Sequence, residues 1–188
     1  DCASDEKINW NCQKLPFLTI VNSKKRNVSF QRNLGAAGSK SPWIIFMDAD
    51  LSADLAFIEK ANRALEESVL ILGTKIGGLQ NRSLFRKMGS FVFYLSVLFL
   101  MGLKYVDYAP GAKAYRRDFL MRNLKYIDNY TSFVLNLTFI ANAKKEPITE
   151  IPIACDDRRK SRFNLWKEAG SKYRGLIGLK IRQLAGGL

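Results

Sequence analysis

An α/β domain built on a mostly parallel sheet is the fold class this sequence predicts. Three features predict it: short β-branched and aromatic runs, helical stretches between them, and glycine or carboxylate turns where the runs stop. Residues 15–21 (LPFLTIV) and 43–49 (WIIFMDA) read as strands, and residues 29–40 between them have helical character, which makes a β-α-β unit. Ser52 is placed to N-cap a helix over residues 53–68, and residues 69–75 (VLILGTK) read as another buried strand, ended by Gly77 and Gly78. Residues 82–103 follow as a helix whose first turns are basic (Arg82, Arg86, Lys87) and whose remainder is apolar nearly all round. Residues 106–116 (VDYAPGAKAYR) turn at Pro110 and Gly111 and then extend. Helical stretches over 117–124 and 131–144 and a strand over 148–154 complete the alternation. In a final helix, Trp166, Ala169, Tyr173, Leu176, Ile177 and Leu184 fall on one side while Lys167, Lys172, Arg174 and Arg182 decorate the rest. Such a helix suits a membrane interface, or a place on the core with a solvated basic face.

The 188 residues suffice for one α/β domain with a real core and a single active site. Hydrophobic residues at 47% and charged residues at 25% exclude a disordered chain. Thirty Lys and Arg against seventeen Asp and Glu give a formal charge of +13, which favours a polyanionic partner: nucleic acid, anionic lipid headgroups or a phosphorylated substrate. No histidine is present, so Ser-His-Asp and Cys-His catalysis and every His-ligated metal site are excluded, and proton transfer falls to carboxylates, Lys, Tyr or Cys. Cys2, Cys12 and Cys155 form no C-x-x-C pair, which fits a reducing compartment. The N-x-[ST] patterns at Asn27, Asn81, Asn129 and Asn136 carry no weight by themselves. The longest apolar run, residues 91–103 (FVFYLSVLFLMGL), is thirteen residues, short of the ~20 a membrane span needs, and reads as a buried or interfacial helix. The absence of an initiating methionine and of a signal peptide leads us to expect a piece of a longer protein.

Asp48 and Asp50 stand where the apolar run WIIFM gives out. In an open α/β sheet, ligands bind at the carboxyl ends of strands, and two carboxylates there suit Mg²⁺ or Mn²⁺, hard cations that bridge to substrate phosphates. The other reading of the pair is a set of turn carboxylates capping the helix that follows.

The segment MDADLS at 47–52, preceded by QRNLGAAGSKSPWIIF, resembles the metal-binding segment of inverting family-2 glycosyltransferases of the GT-A fold, the Rossmann-like nucleotide-diphospho-sugar transferases. More narrowly it resembles the dolichyl-phosphate and polyprenyl-phosphate sugar synthases. GTKIGGLQNRSLFRKMGS at 73–90, DYAPGAKAYRRDFL at 107–120 and EIPIACDDRRKSRFNL at 150–165 are similar, in order, to that family's acceptor-phosphate, acceptor-loop and C-terminal segments. DCASDE at 1–6 resembles the turn after its second strand, so the family's first strand is expected to precede Asp1.

The resemblance implies a catalytic domain over residues 1–163 and a C-terminal basic amphipathic helix over 164–188. It implies an enzyme that transfers a sugar from a UDP- or GDP-sugar to a polyprenyl or dolichyl phosphate. The setting would be the cytoplasmic face of a membrane, with the chain peripheral or anchored by segments outside it. Asp50 would be the main ligand of Mg²⁺ or Mn²⁺, Asp48 would lie near ribose and metal, and Ser52 would support them. Asp1 would face the nucleobase, with Ser4 supporting its turn. Lys75, Arg86 and Ser90 would grip the acceptor phosphate, where the family more often has Arg in place of Lys75. On residue type alone, two cations and a hydroxyl suit a phosphate, and Arg86 and Ser90, four apart, share a helix face. The other reading of that segment is a solvated basic first turn with a buried tail. Asp107 would be a catalytic base or an acceptor-orienting group, the alternative being a turn cap. Lys113, Arg116 and Arg117 suit phosphate contacts or an exposed basic strand edge equally. Arg159, Ser161 and Arg162 would close over the donor diphosphate, although the family's glycine is missing there and Arg replaces its Lys. Two rival readings remain: a family-2 transferase with a saccharide or other lipid acceptor, and a non-catalytic basic module for membranes or nucleic acid. The second lacks any nucleic-acid motif or interleaved aromatic-basic stretch, so no nucleic-acid partner is expected.

Overall fold

A computed structural model describes residues 19, 21, 23, 28–47, 54–75, 80–81, 84–108, 111–127, 132–156 and 165–186. Of the strand expected over residues 15–21, only Thr19 and Val21 are described, and neither is in regular structure. Helix α1 (Val28–Gly38) leads into β1 (Trp43–Phe46), and α2 (Ala56–Ala64) leads into β2 (Leu70–Thr74). After the short β3 (Gln80–Asn81) come α3 (Leu84–Met101), β4 (Lys113–Arg116) and α4 (Arg117–Arg122), the last followed by a single 3-10 turn at Leu124–Tyr126. The described chain closes with α5 (Phe133–Ala143), β5 (Ile148–Pro152), the short β6 (Cys155–Asp156) and α6 (Leu165–Leu184).

The main sheet has the order β1-β4-β2-β5, and β3 and β6 form a separate parallel pair. Strand β4 is antiparallel to both its neighbours, while β2 and β5 are parallel. Three of the four strands share one direction, but β4 lies between two of them and runs against both, so the sheet is mixed where a mostly parallel one was expected. The reversal follows from the path of the chain. It leaves β2 at Thr74, passes through α3 and re-enters the sheet at Lys113, opposite Phe46 and Leu72, and so at the edge it had left.

The pleat sends alternate residues to two cores. Leu70, Leu72, Ile44 and Tyr115 face a large cluster with Val97, Met101, Leu135, Leu176 and Leu179 from α3, α5 and α6. Ile71, Ala112, Ala114 and Ile151 face a smaller one with Phe57 and Ala61 of α2. Helices thus cover both faces. A Cβ on Gly73 would lie 2.6 Å from the Ala112 carbonyl oxygen, so glycine is what lets the Gly73 amide approach and donate to that oxygen at 2.9 Å.

Helix α2 buries Phe57 and Ala61, one turn apart, and turns Glu59, Lys60 and Arg63 outward. Its expected cap, Ser52, lies outside the described residues. The Ala56 amide donates to Asp54 Oδ1 at 2.9 Å, which satisfies one of the open amides of the first turn. The helical stretch expected over 117–124 ends earlier, at Arg122, where Asn123 leaves helical geometry and its Nδ2 donates to the Phe119 carbonyl. Helix α5 is buried from residue 133 to 141 and is the central helix of the large cluster. Asn136 lies within it, its Nδ2 donating to the Tyr126 carbonyl at 3.0 Å, so its N-x-T pattern cannot be glycosylated in the folded chain.

Helix α6 corrects one expectation about its faces. Leu176 and Leu179 enter the large core, and the Tyr173 ring meets Phe93 of α3 edge-on at 5.6 Å, with its hydroxyl 3.0 Å from Ser96 Oγ. Gly175 lies so close over α5 that a Cβ there would be 2.6 Å from the Ser132 Cβ. With α6 turned this way, Ile177 and Leu184, expected on one side with Tyr173 and Leu176, are exposed together with Ile181.

Candidate functional site at the carboxyl edge of the sheet

Strands β1, β2 and β5 all end at one edge of the sheet, and β4 begins there. The chain leaves β1 through Phe46 and Met47 toward Asp48 and Asp50, which lie outside the described residues. At the same edge Lys113, although charged, is only 1% exposed. It sits in register between Phe46 and Leu72, and its Nζ donates to the Gly73 carbonyl at 2.7 Å. An ammonium is tolerated there because a good acceptor meets it. The exposed basic edge considered for Lys113 is therefore not what forms.

Two carboxylates fasten the segment 104–108 beside it. Asp107 is buried, and its Oδ2 accepts the Lys75 backbone N–H at 3.0 Å, tying the first residue after β2 to the loop ahead of β4. Glu150, half-buried on β5, accepts the Val106 N–H through Oε1 at 2.8 Å. Burial pushes the Glu150 carboxyl above its ordinary value and the charge of Asp107 adds to this, while the amides of Val106 and Asp107 and the Lys113 ammonium oppose it. Burial likewise raises the Tyr108 phenol, with further contributions from Glu150, Tyr105 and Tyr94, and it raises Tyr105, with Glu150 again contributing. Helix α3 ends at Met101, directly ahead of this loop. Ser90, exposed, lies one turn before Tyr94 on that helix, and Arg86, whose side chain lies outside the description, one turn before Ser90.

The structure thus joins two of the expected site residues, Lys75 and Asp107, through a hydrogen bond, and sets Ser90 on the helix that precedes their loop in the chain. Asp1, Asp48, Asp50, Arg159 and Arg162 lie outside the described residues, as do Ser4, Ser52 and Ser161. Arg116 and Arg117 are at the opposite edge. Arg116 stands opposite Trp43 and pairs with Asp118 at 2.7 Å, which holds the Asp118 carboxyl below its ordinary value. Arg117 donates from Nε to the Ser39 carbonyl at 2.9 Å. Sequence reasoning passed over Glu150, whose one signal was a lone carboxylate amid the apolar and β-branched residues of a strand.

Among the described residues no three Asp, Glu or Cys side chains gather as a metal site, and Asp48 and Asp50, whose residue type suits a hard cation, lie outside them. An open groove between β1 and α2, lined by Ile45, Leu55, Ile58 and Leu65, holds none of the expected site residues. No helix of the described residues is long and apolar enough to cross a membrane.

A search of curated proteins finds no match to the chain. The family model described as glycosyl transferase family 2 matches residues 5–124, well over half of the chain, including β1, β2, α3 and β4 with the edge at which they meet. This chain therefore belongs to glycosyl transferase family 2 and is a glycosyltransferase.

Proposed function

We propose that the chain transfers a sugar, with inversion at the anomeric carbon, from a UDP- or GDP-sugar to a polyprenyl or dolichyl phosphate at the cytoplasmic face of a membrane. One observation carries this reading. The loop whose Asp107 holds Lys75 follows α3 directly in the chain, and α3 joins basic residues in its first turns to exposed Leu84, Met88, Phe91, Val92 and Phe99. A phosphate headgroup and an apolar tail need that succession of surfaces in a single acceptor site. Ile177, Ile181 and Leu184 of α6 are exposed too, as are Lys87, Lys104, Arg174 and Arg182. Across residues 84–104 and 165–188, eight basic residues accompany a single carboxylate, Glu168, a balance that favours anionic lipid.

Asp48 and Asp50 would hold Mg²⁺ or Mn²⁺, which when bound supplies positive charge against the departing diphosphate. Asp1 would face the nucleobase, and Arg159 and Arg162 would border the donor diphosphate. An acceptor phosphate is already an anion, so alignment matters more than deprotonation. Lys75, Arg86 and Ser90 would orient it through charge and hydrogen bonds. Asp107, engaged with the Lys75 amide, supports an orienting role better than that of a base.

The test is nucleotide-diphosphate release from a panel of sugar nucleotides, with Mn²⁺ or Mg²⁺, with and without a short polyprenyl phosphate. Release that depends on polyprenyl phosphate, is lost with chelator and falls on Arg86→Ala is expected. Transfer to a saccharide instead, or transfer to polyprenyl phosphate untouched by Arg86→Ala, would refute the acceptor assignment.

A further inference from the structure

We propose that Glu150 is a positioning residue of the acceptor site: by accepting the Val106 amide it holds residues 104–108 against β5, so that Asp107 can accept the Lys75 amide. The inference rests on the acceptor role proposed above for Lys75. Glu150 lies opposite Leu72 in the parallel β2–β5 register, on the same face of the sheet as Lys113. Three polar contacts converge around the end of β2: Lys113 Nζ on the Gly73 carbonyl, Asp107 Oδ2 on the Lys75 amide, and Glu150 Oε1 on the Val106 amide.

The third contact supports the second. Val106 and Asp107 are adjacent, and fixing the amide of one leaves the side chain of the other few directions to take. A carboxylate suits the task because it only accepts, and the Asp107 amide also favours its charged form. Half-burial of Glu150 limits the water that could replace these amide bonds. Glu150 thus acts on the acceptor through the Val106–Asp107–Lys75 chain and touches no reacting atom.

The experiment compares the full chain with Glu150→Ala, Glu150→Asp and Glu150→Gln by residue-resolved amide hydrogen exchange and by steady-state kinetics with polyprenyl phosphate. Glu150→Ala should speed exchange by about 10-fold or more at both Val106 and Lys75, while Ile71 in the middle of β2 is unchanged. KM for the acceptor should rise and KM for the sugar nucleotide should not. Glu150→Asp, one methylene short, should behave like Glu150→Ala, and Glu150→Gln, which keeps an acceptor oxygen, should restore most of the protection. Should the alanine variant lose its fold, the Asp and Gln variants decide the matter. Exchange is read without substrate, so an enzyme that proves to use another acceptor would still show the joint response of Val106 and Lys75. A Lys75 amide indifferent to both Ala and Asp at position 150 overturns the proposal whatever the acceptor, as would equal changes in both KM values.

Discussion

Lys113 and Arg116 stand three residues apart on β4 and serve opposite ends of the sheet. Lys113 is buried at the carboxyl edge, its ammonium on a backbone carbonyl beside Asp107 and Glu150. Arg116 is solvated at the other edge and answers to Asp118 on its own turn of chain, with Arg122 of α4 reaching the same carboxylate at 3.3 Å. The run KAYRR looks uniformly basic as text. The difference shows that the position of a charge along the strand, and not the charge, decides whether it belongs to a site.

The sharpest way to break this contrast is at Asp50, beyond the carboxyl end of β1. Asp50→Asn should lower turnover on the order of a hundred- to a thousand-fold with the melting temperature unchanged, whereas Arg116→Ala should leave turnover alone. Equal effects in a sugar-nucleotide turnover assay would end the assignment of the site to one edge. Next in size, Lys113→Met removes a charged, buried donor and should cost about 2–3 kcal/mol in urea unfolding, against less than about 1 kcal/mol for Arg116→Ala, whose pair is screened by water. Gly73→Ala should cost about 1–3 kcal/mol by the same measurement, since its Cβ meets the Ala112 carbonyl oxygen and β2 must move away from β4.

The two edges should also respond to pH in opposite senses. The Glu150 carboxyl is raised, so the folded chain holds its proton more tightly than the unfolded chain, and stability falls as pH rises from the ordinary glutamate value through the raised one. Glu150→Gln should flatten that part of the stability profile. Asp118 is depressed, so its small contribution is present above the ordinary aspartate value and fades as pH falls through the lowered one, and Asp118→Asn should remove that acid-side slope. Identical profiles for the two variants would show that burial does not distinguish the edges.

A second contrast lies between α2 and α3. Helix α2 buries one apolar face and turns charges outward, whereas α3 buries Val97 and Met101 and also exposes apolar side chains, Phe99 at 81%. The sequence carried this difference in part, because α2 sets charges opposite one apolar face whereas α3 is apolar nearly all round, a pattern that suits a buried or an interfacial helix.

The positions of the elements were legible in the sequence to within a few residues: α2, β2, α3, β4 and β5 all lie inside the expected ranges, because hydrophobic period and turn residues are local properties. The glycosyltransferase family was legible from ordered motifs for the same reason. Period reports how many faces an element buries, but not against which neighbour. Only the tertiary structure could reverse β4, since its direction follows from the edge at which α3 returns the chain. Only the fit of Gly175 on Ser132 could rotate α6 so that Leu179 is buried and Ile177 is not. Glu150 and Lys113 became partners of the same loop because parallel and antiparallel registers bring residues 37 apart to one face of one sheet, a proximity that no local pattern encodes.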